Sequence, residues 1–496
     1  MILKSGDYSN NKYHCEYLVV GTGAGGSVAG TFLAEKDLDV IFMEEGSYFP
    51  TDSFTNKVGD MTAKLYRNRG ISPLIGKPLV ALAEGRCVGG GTVINGEGLF
   101  RTPKRILEEW SRDHGLKGYG FSELERHFET IEKDLNVEAK SISHEENTNL
   151  DSQKLIKGAN GLNWRTEFVP RAAKNCNYTN SCSIGCPTGA KQSTLVSYLP
   201  RALKAGARIF SDCRVVKVNH SKGYAHNVIA EIIKDDKKQM IEVSFDYLII
   251  SGGAIQTPHL LKKSRMSKNA GKNLQFHMNV KVVARFEDSV YAEKGTMFPV
   301  QVHEFENEDC YMNTSAMKPS YLAMSLATHG NEVINKAIKF SNKMVILNTT
   351  MRVESKAHIF SKIGRNPLVW YNFDSSDLLR IKTNIKRMCQ VLFEACAVEV
   401  YLPIKGMSLT TKENIDSLID KIKPADVDIS TVHMMASCPM GADPKKSVVD
   451  LNGNLWGMKN VLIADASILP TSIGQSPQET IMAMVHEVMR RHFDNR

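Results

Sequence analysis

The sequence lacks several features that define large classes of proteins. Its first residues, MILKSGDYSNNKYHC, contain no apolar stretch between a basic start and a small-residue cleavage site, so they do not resemble a secretory signal. No uninterrupted apolar run of about 18 residues occurs, so no membrane-spanning helix is predicted. No long Lys/Arg run is present despite the net charge of +8, and nucleic-acid binding is not expected.

These absences favour a protein of the reducing cytoplasm, where structural disulfides are rare. Export to the periplasm together with a partner that carries the signal stays open. The composition, 42% hydrophobic and 23% charged, is typical of a globular protein. With 496 residues, the chain is long enough for two or three domains.

A glycine-rich loop follows the first apolar run. Residues 16–20 (EYLVV) are typical of a short strand, and Gly21, Gly23 and Gly26 follow in GxGxxG spacing. The first glycine permits a tight turn, the second lets the backbone approach a pyrophosphate, and the third packs the next helix on the strand. Glu44, at the end of a second strand-like run, is placed to accept hydrogen bonds from a ribose. The pattern predicts a dinucleotide site but does not choose between FAD and NAD.

Further motifs along the chain indicate which of the two cofactors binds, because they resemble those of a known family. They read GRCVGGGTVIN, SGGAIQTPHLLKKS, KNLQFH, HMMASCPMG and VLIADASILPTSIGQSPQETI, in this order along the chain. Together with the glycine loop, they resemble the glucose–methanol–choline (GMC) family of flavin oxidoreductases. The resemblance implies a bound FAD and the oxidation of an alcohol, in which hydride passes from carbon to flavin N5.

The resemblance also assigns residues to the cofactor. It places Gly89, Gly90 and Asn95 beside the isoalloxazine ring. Val215 is expected near the adenine and Asp465 near the pyrophosphate. The valine can equally be an ordinary strand residue. The helix that begins near residue 478 is expected to point its N-terminus at the flavin, where partial positive charge stabilises the reduced anion. The assigned residues are Gly89, Gly90, Asn95, Val215, Asp465 and Gln478.

Alcohol oxidation also requires a base for the hydroxyl proton, and neutral histidine suits this role. The segment TVHMMASCPMG resembles the family motif that carries the base, which assigns the role to His433, with Ala436 where relatives often have glycine. The second catalytic residue is usually Asn or His before a proline. Here Gln475 and Ser476 precede Pro477, so Ser476 is the candidate substrate hydrogen-bonder and Gln475 its competitor. Ser476 can also simply cap the following helix.

Three of the ten cysteines, Cys176, Cys182 and Cys186, lie close together in C-x5-C-x3-C-P spacing. Closely spaced thiolates on a loop are typical of iron–sulfur ligands. The spacing resembles that of FAD-dependent sugar dehydrogenases of the family and implies a [3Fe-4S] cluster. The downstream residues also resemble long-chain alcohol oxidases, which imply no cluster.

Other interpretations of the cysteines stay open. Zinc would need a fourth ligand such as His220 or His226, and C-x5-C is not the usual zinc spacing. Cys176 and Cys182 could form a redox disulfide, or all three thiols could be inert. A cluster would give the flavin's electrons a one-electron exit to a partner.

The order of the motifs predicts an α/β fold. The Rossmann-like FAD-binding domain is discontinuous and comprises residues 13–110, 200–285 and 430–496, with a mainly parallel sheet between helices. Residues 111–199 and 286–429 are assigned to an α+β substrate domain with an antiparallel sheet, including the cysteine loop as a connection.

The sequence therefore predicts an FAD-dependent alcohol dehydrogenase that takes a small-molecule alcohol and passes electrons through an iron–sulfur cluster to an electron-accepting partner. An associated subunit could instead act as a chaperone. A cluster-free oxidase of a long-chain or other apolar alcohol is the first alternative. A non-catalytic flavoprotein subunit is the second. No motif within 286–429 identifies the substrate.

Overall fold

The computed structural model describes residues 1–4, 6–138, 149–234, 237–361, 364–407 and 409–494. Part of the predicted range 111–199 lies outside these residues. Within them the helices are α1 (Ala24–Ala34), α2 (Val58–Leu65), α3 (Lys104–His114), α4 (Phe121–Asp134), α5 (Leu150–Gly161), α6 (Tyr198–Lys204), α7 (Gly253–Lys263), α8 (Pro319–Ser325), α9 (Asn331–Lys339), α10 (Ser375–Glu394), α11 (Ile415–Asp420) and α12 (Gln478–Asp494).

The strands of the described residues form two large sheets and one small one. They are β1 (Ile2–Leu3), β2 (Lys12–Val20), β3 (Val40–Met43), β4 (Ser72–Ile75), β5 (Val80–Leu82), β6 (Val137–Glu138), β7 (Thr166–Phe168), β8 (Arg171–Ala172), β9 (Arg208–Phe210), β10 (Cys213–Ser221), β11 (Tyr224–Lys234), β12 (Lys237–Ile250), β13 (Gln275–Arg285), β14 (Val300–Val302), β15 (Cys310–Thr314), β16 (Met344–Arg352), β17 (Lys356–Phe360), β18 (Leu368–Asn372), β19 (Glu399–Tyr401), β20 (Ile429–Thr431), β21 (Met434–Met435) and β22 (Val461–Ile463).

The first sheet has the order β1-β9-β3-β2-β12-β11-β10, and β22 also pairs with β12. All pairs up to β12 and the β12–β22 pair are parallel, whereas β12–β11 and β11–β10 are antiparallel. The carboxyl halves of β2 and β3 are apolar and buried, as expected for parallel strands covered on both faces. Helix α1 packs between this sheet and α12. Gly30 allows the close approach, because a Cβ there would overlap with the Phe42 ring.

The second sheet is largely antiparallel, with the order β17-β18-β4-β5-β20-β13-β16-β15-β14-β7. Its core is a separate cluster of buried side chains, and α10 packs against β13 and β16. Asp374 caps α10 by accepting a hydrogen bond from Ser376 N at 2.9 Å. Apolar residues at helical spacing on α10, such as Ile381, Ile385 and Met388, face this core.

The two sheets confirm the predicted fold class: a Rossmann-like α/β layer and a second layer built on an antiparallel sheet. The domain boundaries remain predictions. Strands β4 and β5 lie within the range 13–110, yet they pair in the second sheet. In the part of the chain that the structure describes, no helix has the length and apolarity needed to cross a membrane.

Candidate functional site

A cavity of about 700 Å³ extends from the first sheet to the second. One end is lined by residues that follow the parallel strands of the first sheet. Gly21, Glu44 and Ser251 directly follow β2, β3 and β12, and Asp465 lies two residues after the end of β22. We call this the loop end. Nucleotides bind at the carboxyl ends of such strands, where the connecting loops diverge. The other end, which we call the sheet end, is lined by polar side chains of β13, β14, β15, β16 and β20.

The glycine loop forms the turn from β2 into α1. Gly21 has φ +103°, and a Cβ there would overlap with the carbonyl oxygen of Ser251. A Cβ at Gly26 would overlap with the carbonyl oxygen of Gly21, so the helix packs tightly on its own loop. Gly23 lines the cavity and has no other atom within 4 Å of the place of its Cβ. The start of α1 is therefore open to a phosphate group.

Glu44 lies at the loop end and is buried. Its Oε2 accepts hydrogen bonds from Thr22 N at 3.0 Å and Thr22 Oγ1 at 2.7 Å, and its Oε1 accepts one from Gly46 N at 2.8 Å. Burial raises the pKa of this carboxyl group, and the three hydrogen bonds oppose the rise. The sequence pattern predicts that Glu44 contacts a ribose. These hydrogen bonds fix the orientation of its carboxylate at the cavity wall.

Sequence reasoning missed an ion-pair cluster beside Glu44. The Glu45 carboxylate lies 2.9 Å from Arg67, 3.3 Å from Arg86 and 3.6 Å from Arg214. Burial alone would raise the pKa of Glu45, but the three guanidinium groups lower it to about 2. Arg67 and Arg214 also line the cavity and add positive charge at the loop end. The acidic pair at 44–45 is visible in the sequence, whereas its arginine partners come from distant segments.

A second glycine-rich loop, at residues 89–91, contacts the loop that follows β2. Gly89 and Gly90 have φ values of +92° and +54°, and Gly89 N donates to Thr22 Oγ1 at 3.0 Å. Gly90 lines the cavity. The Asn95 amide donates to the side-chain oxygen of Gln478 at the start of α12. The fold thus brings these two predicted cofactor residues together.

Asp465 is buried, and its carboxylate is fully engaged by the protein. Oδ2 accepts from Gly253 N at 2.8 Å and from Thr257 Oγ1 at 2.5 Å, and Oδ1 accepts from Ser467 N at 2.8 Å. Burial raises the pKa of Asp465. The residue therefore fixes the start of α7 at the cavity wall. Val215 also lines the cavity and is half-buried.

His433 lines the cavity and contacts a second histidine that sequence reasoning missed. Its Nδ1 lies 3.1 Å from Nδ1 of His277, which is fully buried on β13. Gly474 N donates to His277 Nε2 at 3.0 Å. Because Nε2 accepts, neutral His277 carries its proton on Nδ1 and donates it to His433. Neutral His433 then carries its own proton on Nε2.

Burial sets the charge of this imidazole pair. It lowers the pKa of His433 to about 4, and it lowers the pKa of His277 well below the ordinary value, with a further contribution from His433. Both rings are therefore neutral near pH 7. The motif KNLQFH contains His277, but only the pairing of β13 with β21 places it behind His433.

Ser476 and Gln475 both line the cavity near the imidazole pair. Gln475 is buried, and its amide donates to Gln301 Oε1 on β14 at 3.0 Å. Ser476 is half-buried, and its hydroxyl group makes no hydrogen bond to the residues that the structure describes. It makes no capping bond to α12 and is free to meet a ligand.

The cysteine loop shows three separate environments. Cys176 Sγ accepts a hydrogen bond from Arg171 at 3.4 Å, Cys186 Sγ accepts one from Lys191 N at 3.4 Å, and burial raises the pKa of Cys182 well above its ordinary value. Over the described ranges, which include all three cysteines, no three His, Cys, Asp or Glu side chains are placed to hold one metal ion. The loop therefore does not fit a preformed cluster.

The other interpretations of these cysteines gain no support either. His220 Nε2 lies 2.9 Å from Ser264 O, and His226 Nε2 lies 2.8 Å from Ser221 Oγ, so both candidate zinc ligands have other partners. All ten cysteines are free thiols in this structure, so the Cys176–Cys182 disulfide is not formed.

The parallel sheet, the glycine loop and the loop end of the cavity are typical of a dinucleotide-binding protein. Comparison with known proteins identifies its family. The GMC oxidoreductase family models match residues 15–279 and 363–484. The chain therefore belongs to the GMC oxidoreductases, which act on CH–OH groups, and FAD is the cofactor that this family and its structural neighbours support.

Two relatives illustrate the range of similarity. An uncharacterized GMC-type oxidoreductase of Mycobacterium tuberculosis is 30% identical over 473 residues, covering 94% of this chain and 74% of the relative. A long-chain-alcohol oxidase of Arabidopsis thaliana is 28% identical over 517 residues, covering 96% and 67%. Among solved structures, an Aspergillus oryzae formate oxidase variant studied for FAD modification superposes with a TM-score of 0.75 at 14% identity, covering 98% of this chain and 100% of the neighbour. That likeness supports the fold.

Proposed function

We propose that this chain oxidises the CH–OH group of an alcohol and that His433 accepts the hydroxyl proton. The observation that carries the proposal is the imidazole pair, in which His433 lines the cavity with its Nδ1 3.1 Å from His277. A general base must reach the substrate and be unprotonated at working pH. With its pKa lowered to about 4 by burial, His433 meets the second condition over the physiological range.

The loop end fits FAD. The open position at Gly23 and the N-terminus of α1 would hold the pyrophosphate, and Glu44 would hold the ribose. Val215 would contact the adenine, and Asn95 with Gln478 would lie beside the isoalloxazine ring. Bound FAD supplies the hydride acceptor for the reaction. The N-terminus of α12, next to Asn95, adds partial positive charge there.

His277 determines which ring nitrogen of His433 carries the proton and which one can accept a proton. In the hydrogen-bonded arrangement, Nε2 of His433 is a donor, so proton acceptance at Nε2 requires the other tautomer, in which Nδ1–H donates to His277. The His277 Nε2–H would then face Gly474 N–H, and losing this buried hydrogen bond costs roughly 1–3 kcal/mol. Turnover at about 10 per second corresponds to a barrier of about 16 kcal/mol. The base tautomer is therefore accessible.

Ser476 fits the second catalytic position better than Gln475. Its hydroxyl group can both donate and accept, and no described residue occupies it. The Gln475 amide is already held by Gln301 at 3.0 Å. We assign Ser476 to the substrate oxygen and Gln475 to the wall beside it.

The route by which electrons leave the flavin is a separate question. Because the cysteine loop does not fit a preformed metal site, we derive no step through a cluster. The C-x5-C-x3-C spacing still predicts a [3Fe-4S] cluster and a partner subunit, whereas the oxidase alternative predicts hydrogen peroxide. Iron and sulfide analysis of the purified protein, with peroxide measured per product formed, separates the two.

The central test uses the FAD-loaded protein without oxygen. We expect the flavin absorbance to bleach when a suitable alcohol from a panel is mixed in. His433→Ala should retain FAD and slow bleaching by about 100-fold or more, because a positioned base contributes this much. His226→Ala, on an exposed hairpin, is the control and should not change the rate.

Two results would contradict the proposal. One is a loaded wild-type protein that no alcohol in a broad panel bleaches. The other is His433→Ala protein that bleaches at the wild-type rate. The first result would favour the non-catalytic flavoprotein subunit, whereas the second would assign the proton to a residue other than His433.

A further inference from the structure

We propose that the substrate of this site is a polyhydroxylated compound, a polyol or a sugar, bound by two rows of polar side chains at the sheet end of the cavity. The inference rests on the function proposed above and specifies its substrate class. This substrate class differs from the long-chain alcohols in the name of the Arabidopsis relative. A long-chain alcohol would place an alkyl chain against the same polar surface.

The first row crosses four neighbouring strands. Lys281 on β13 lies opposite Asn348 on β16, Asn348 lies opposite Asn313 on β15, and Asn313 lies opposite Gln301 on β14. All four residues line the cavity. Directly opposite residues in a sheet point to the same face, so the four side chains form one continuous polar stripe.

The second row runs beside the first. Ser430 on β20 lies opposite Asn279 on β13, which lies opposite Thr350 on β16. All three line the cavity. Asn279 precedes Lys281 by two residues, so the rows are about 7 Å apart. His277 lies two residues further back on the same face of β13, so the rows begin next to the imidazole pair.

Most of these side chains make no hydrogen bond to the residues that the structure describes. Asn279 Oδ1 is buried without a hydrogen bond. The side chains of Lys281, Asn348, Thr350 and Ser430 likewise make no hydrogen bond to a described residue. Buried polar groups in folded proteins are nearly always hydrogen-bonded. Asn279 and Thr350 are buried and therefore need partners from a bound molecule or from water, while Lys281, Asn348 and Ser430 are half-buried and present their polar groups to the same cavity.

Lys281 is the charged member of the rows. Burial lowers the pKa of its ammonium group, while the Asp428 carboxylate raises it. An ammonium group has donors and no acceptor, so it requires an oxygen partner. Asn279, with its free Oδ1, offers an acceptor on the adjacent row. A molecule with several hydroxyl groups satisfies both, since each hydroxyl group donates and accepts.

An alkyl chain would not satisfy the rows. It would displace water from the amides, the hydroxyl groups and the ammonium group without replacing their hydrogen bonds. The cavity also has apolar lining residues, including Met297, Phe298 and Val432. The Phe298 ring packs directly against Gly96 and Gly98, where a Cβ would overlap with it. Such residues suit the C–H faces that a polyol presents between its hydroxyl groups.

The test compares ligands of equal carbon number on the oxidised, FAD-loaded protein without oxygen. Sorbitol, glucose, myo-inositol and 1-hexanol are titrated, and binding is followed by the change in the flavin spectrum, separately from any bleaching. We expect at least one of the three hydroxylated ligands to bind about tenfold or more tightly than 1-hexanol. Tighter binding of 1-hexanol than of all three would overturn the inference.

Two substitutions in the rows add a second test. Asn348→Leu and Lys281→Met should each weaken binding of the hydroxylated ligand by about tenfold and leave 1-hexanol unchanged or tighter. Asn372→Leu, on the exposed face of β18, is the matched control. Unchanged polyol binding in both row variants, with FAD content and melting temperature retained, would also overturn the inference. If one variant does not fold, the other decides.

The outcomes separate this inference from the function on which it rests. A polyol that binds tightly without ever bleaching the flavin would support the substrate class and contradict the oxidation. Bleaching by 1-hexanol, with no binding of the hydroxylated ligands, would support the oxidation and contradict the substrate class.

Discussion

The two ends of the cavity satisfy their polar groups in different ways. At the loop end, the carboxylates of Glu44 and Asp465 accept hydrogen bonds from nearby backbone and hydroxyl donors. At the sheet end, neither the buried Asn279 Oδ1 nor the Lys281 ammonium group makes a hydrogen bond to a residue that the structure describes. The protein itself satisfies these carboxylates at the loop end, whereas Asn279 Oδ1 and Lys281 at the sheet end are left to a bound molecule or to water.

This difference matches two kinds of ligand. A resident cofactor is served by a rigid surface whose shape is fixed by backbone and whose own charges are already neutralised. An exchanging substrate is recognised by groups that lose water on binding and regain hydrogen bonds only with the correct partner. Substitutions at the two ends should therefore affect cofactor content and substrate selectivity separately.

The largest effect is expected at the loop end. A Cβ at Gly25 would overlap with the carbonyl oxygen of Ala464, where neither backbone segment can give way. Gly25→Ala should therefore abolish FAD binding or folding, measured as the ratio of flavin to purified protein. Gly59→Ala, with open space at an exposed position of α2, should retain full flavin content. A Gly25→Ala protein with normal FAD content would show that the loop end is not rigid.

A smaller effect is expected behind the base. His277→Leu should keep FAD but lower the rate of flavin reduction by about 10- to 100-fold, because His433 loses the partner that orients it. His277→Asn, whose amide can still donate to His433 Nδ1, should recover part of the rate. Stopped-flow reduction at saturating alcohol measures both variants. Equal rates for His277→Leu and wild type would mean that His277 only fills space.

The rate of flavin reduction should depend on pH, with its midpoint shifted below that of an ordinary histidine. Burial lowers the pKa of His433 to about 4, so the ring stays neutral until the pH approaches that value. The rate of flavin reduction should therefore fall toward pH 4, whereas an exposed histidine would give a midpoint near 6.5. In the same window the unfolded chain binds more protons than the folded one, so stability should decline as the pH falls from about 6.5. A rate midpoint near 6.5 would contradict the buried assignment.

The smallest effect is expected in the cysteine loop. Cys186 is half-exposed, and its thiol accepts a hydrogen bond from Lys191 N at 3.4 Å and lies 3.4 Å from Thr188 Oγ1. Cys186→Ser should change the rate of flavin reduction by less than about twofold, because a surface substitution without a metal contact has little effect. Iron content is measured on the same samples. Iron in the wild type that disappears in the variant would establish the cluster that the spacing predicts.

The sequence motifs specified more residues at the loop end of the cavity than at the sheet end. Gly21, Gly23, Gly26 and Glu44 belong to one strand–loop–helix–strand unit, so their spacing specifies a local geometry. Arg67 and Arg214 were missed because they reach Glu45 from segments far apart in the chain. His433 was recognised by its motif, whereas its partner His277 required the tertiary structure.

By itself, the sequence indicated a dinucleotide site and an α/β fold class, because short-range turn chemistry and apolar patterning are encoded in contiguous residues, and the resemblance of its motifs to a known family indicated the family and FAD. Only the tertiary structure decided which side chains line the sheet end of the cavity. The polar rows combine single residues from strands between Asn279 and Ser430, and each alone resembles an ordinary strand position. Their common face follows from the register of the second sheet, which depends on contacts made throughout the folded chain.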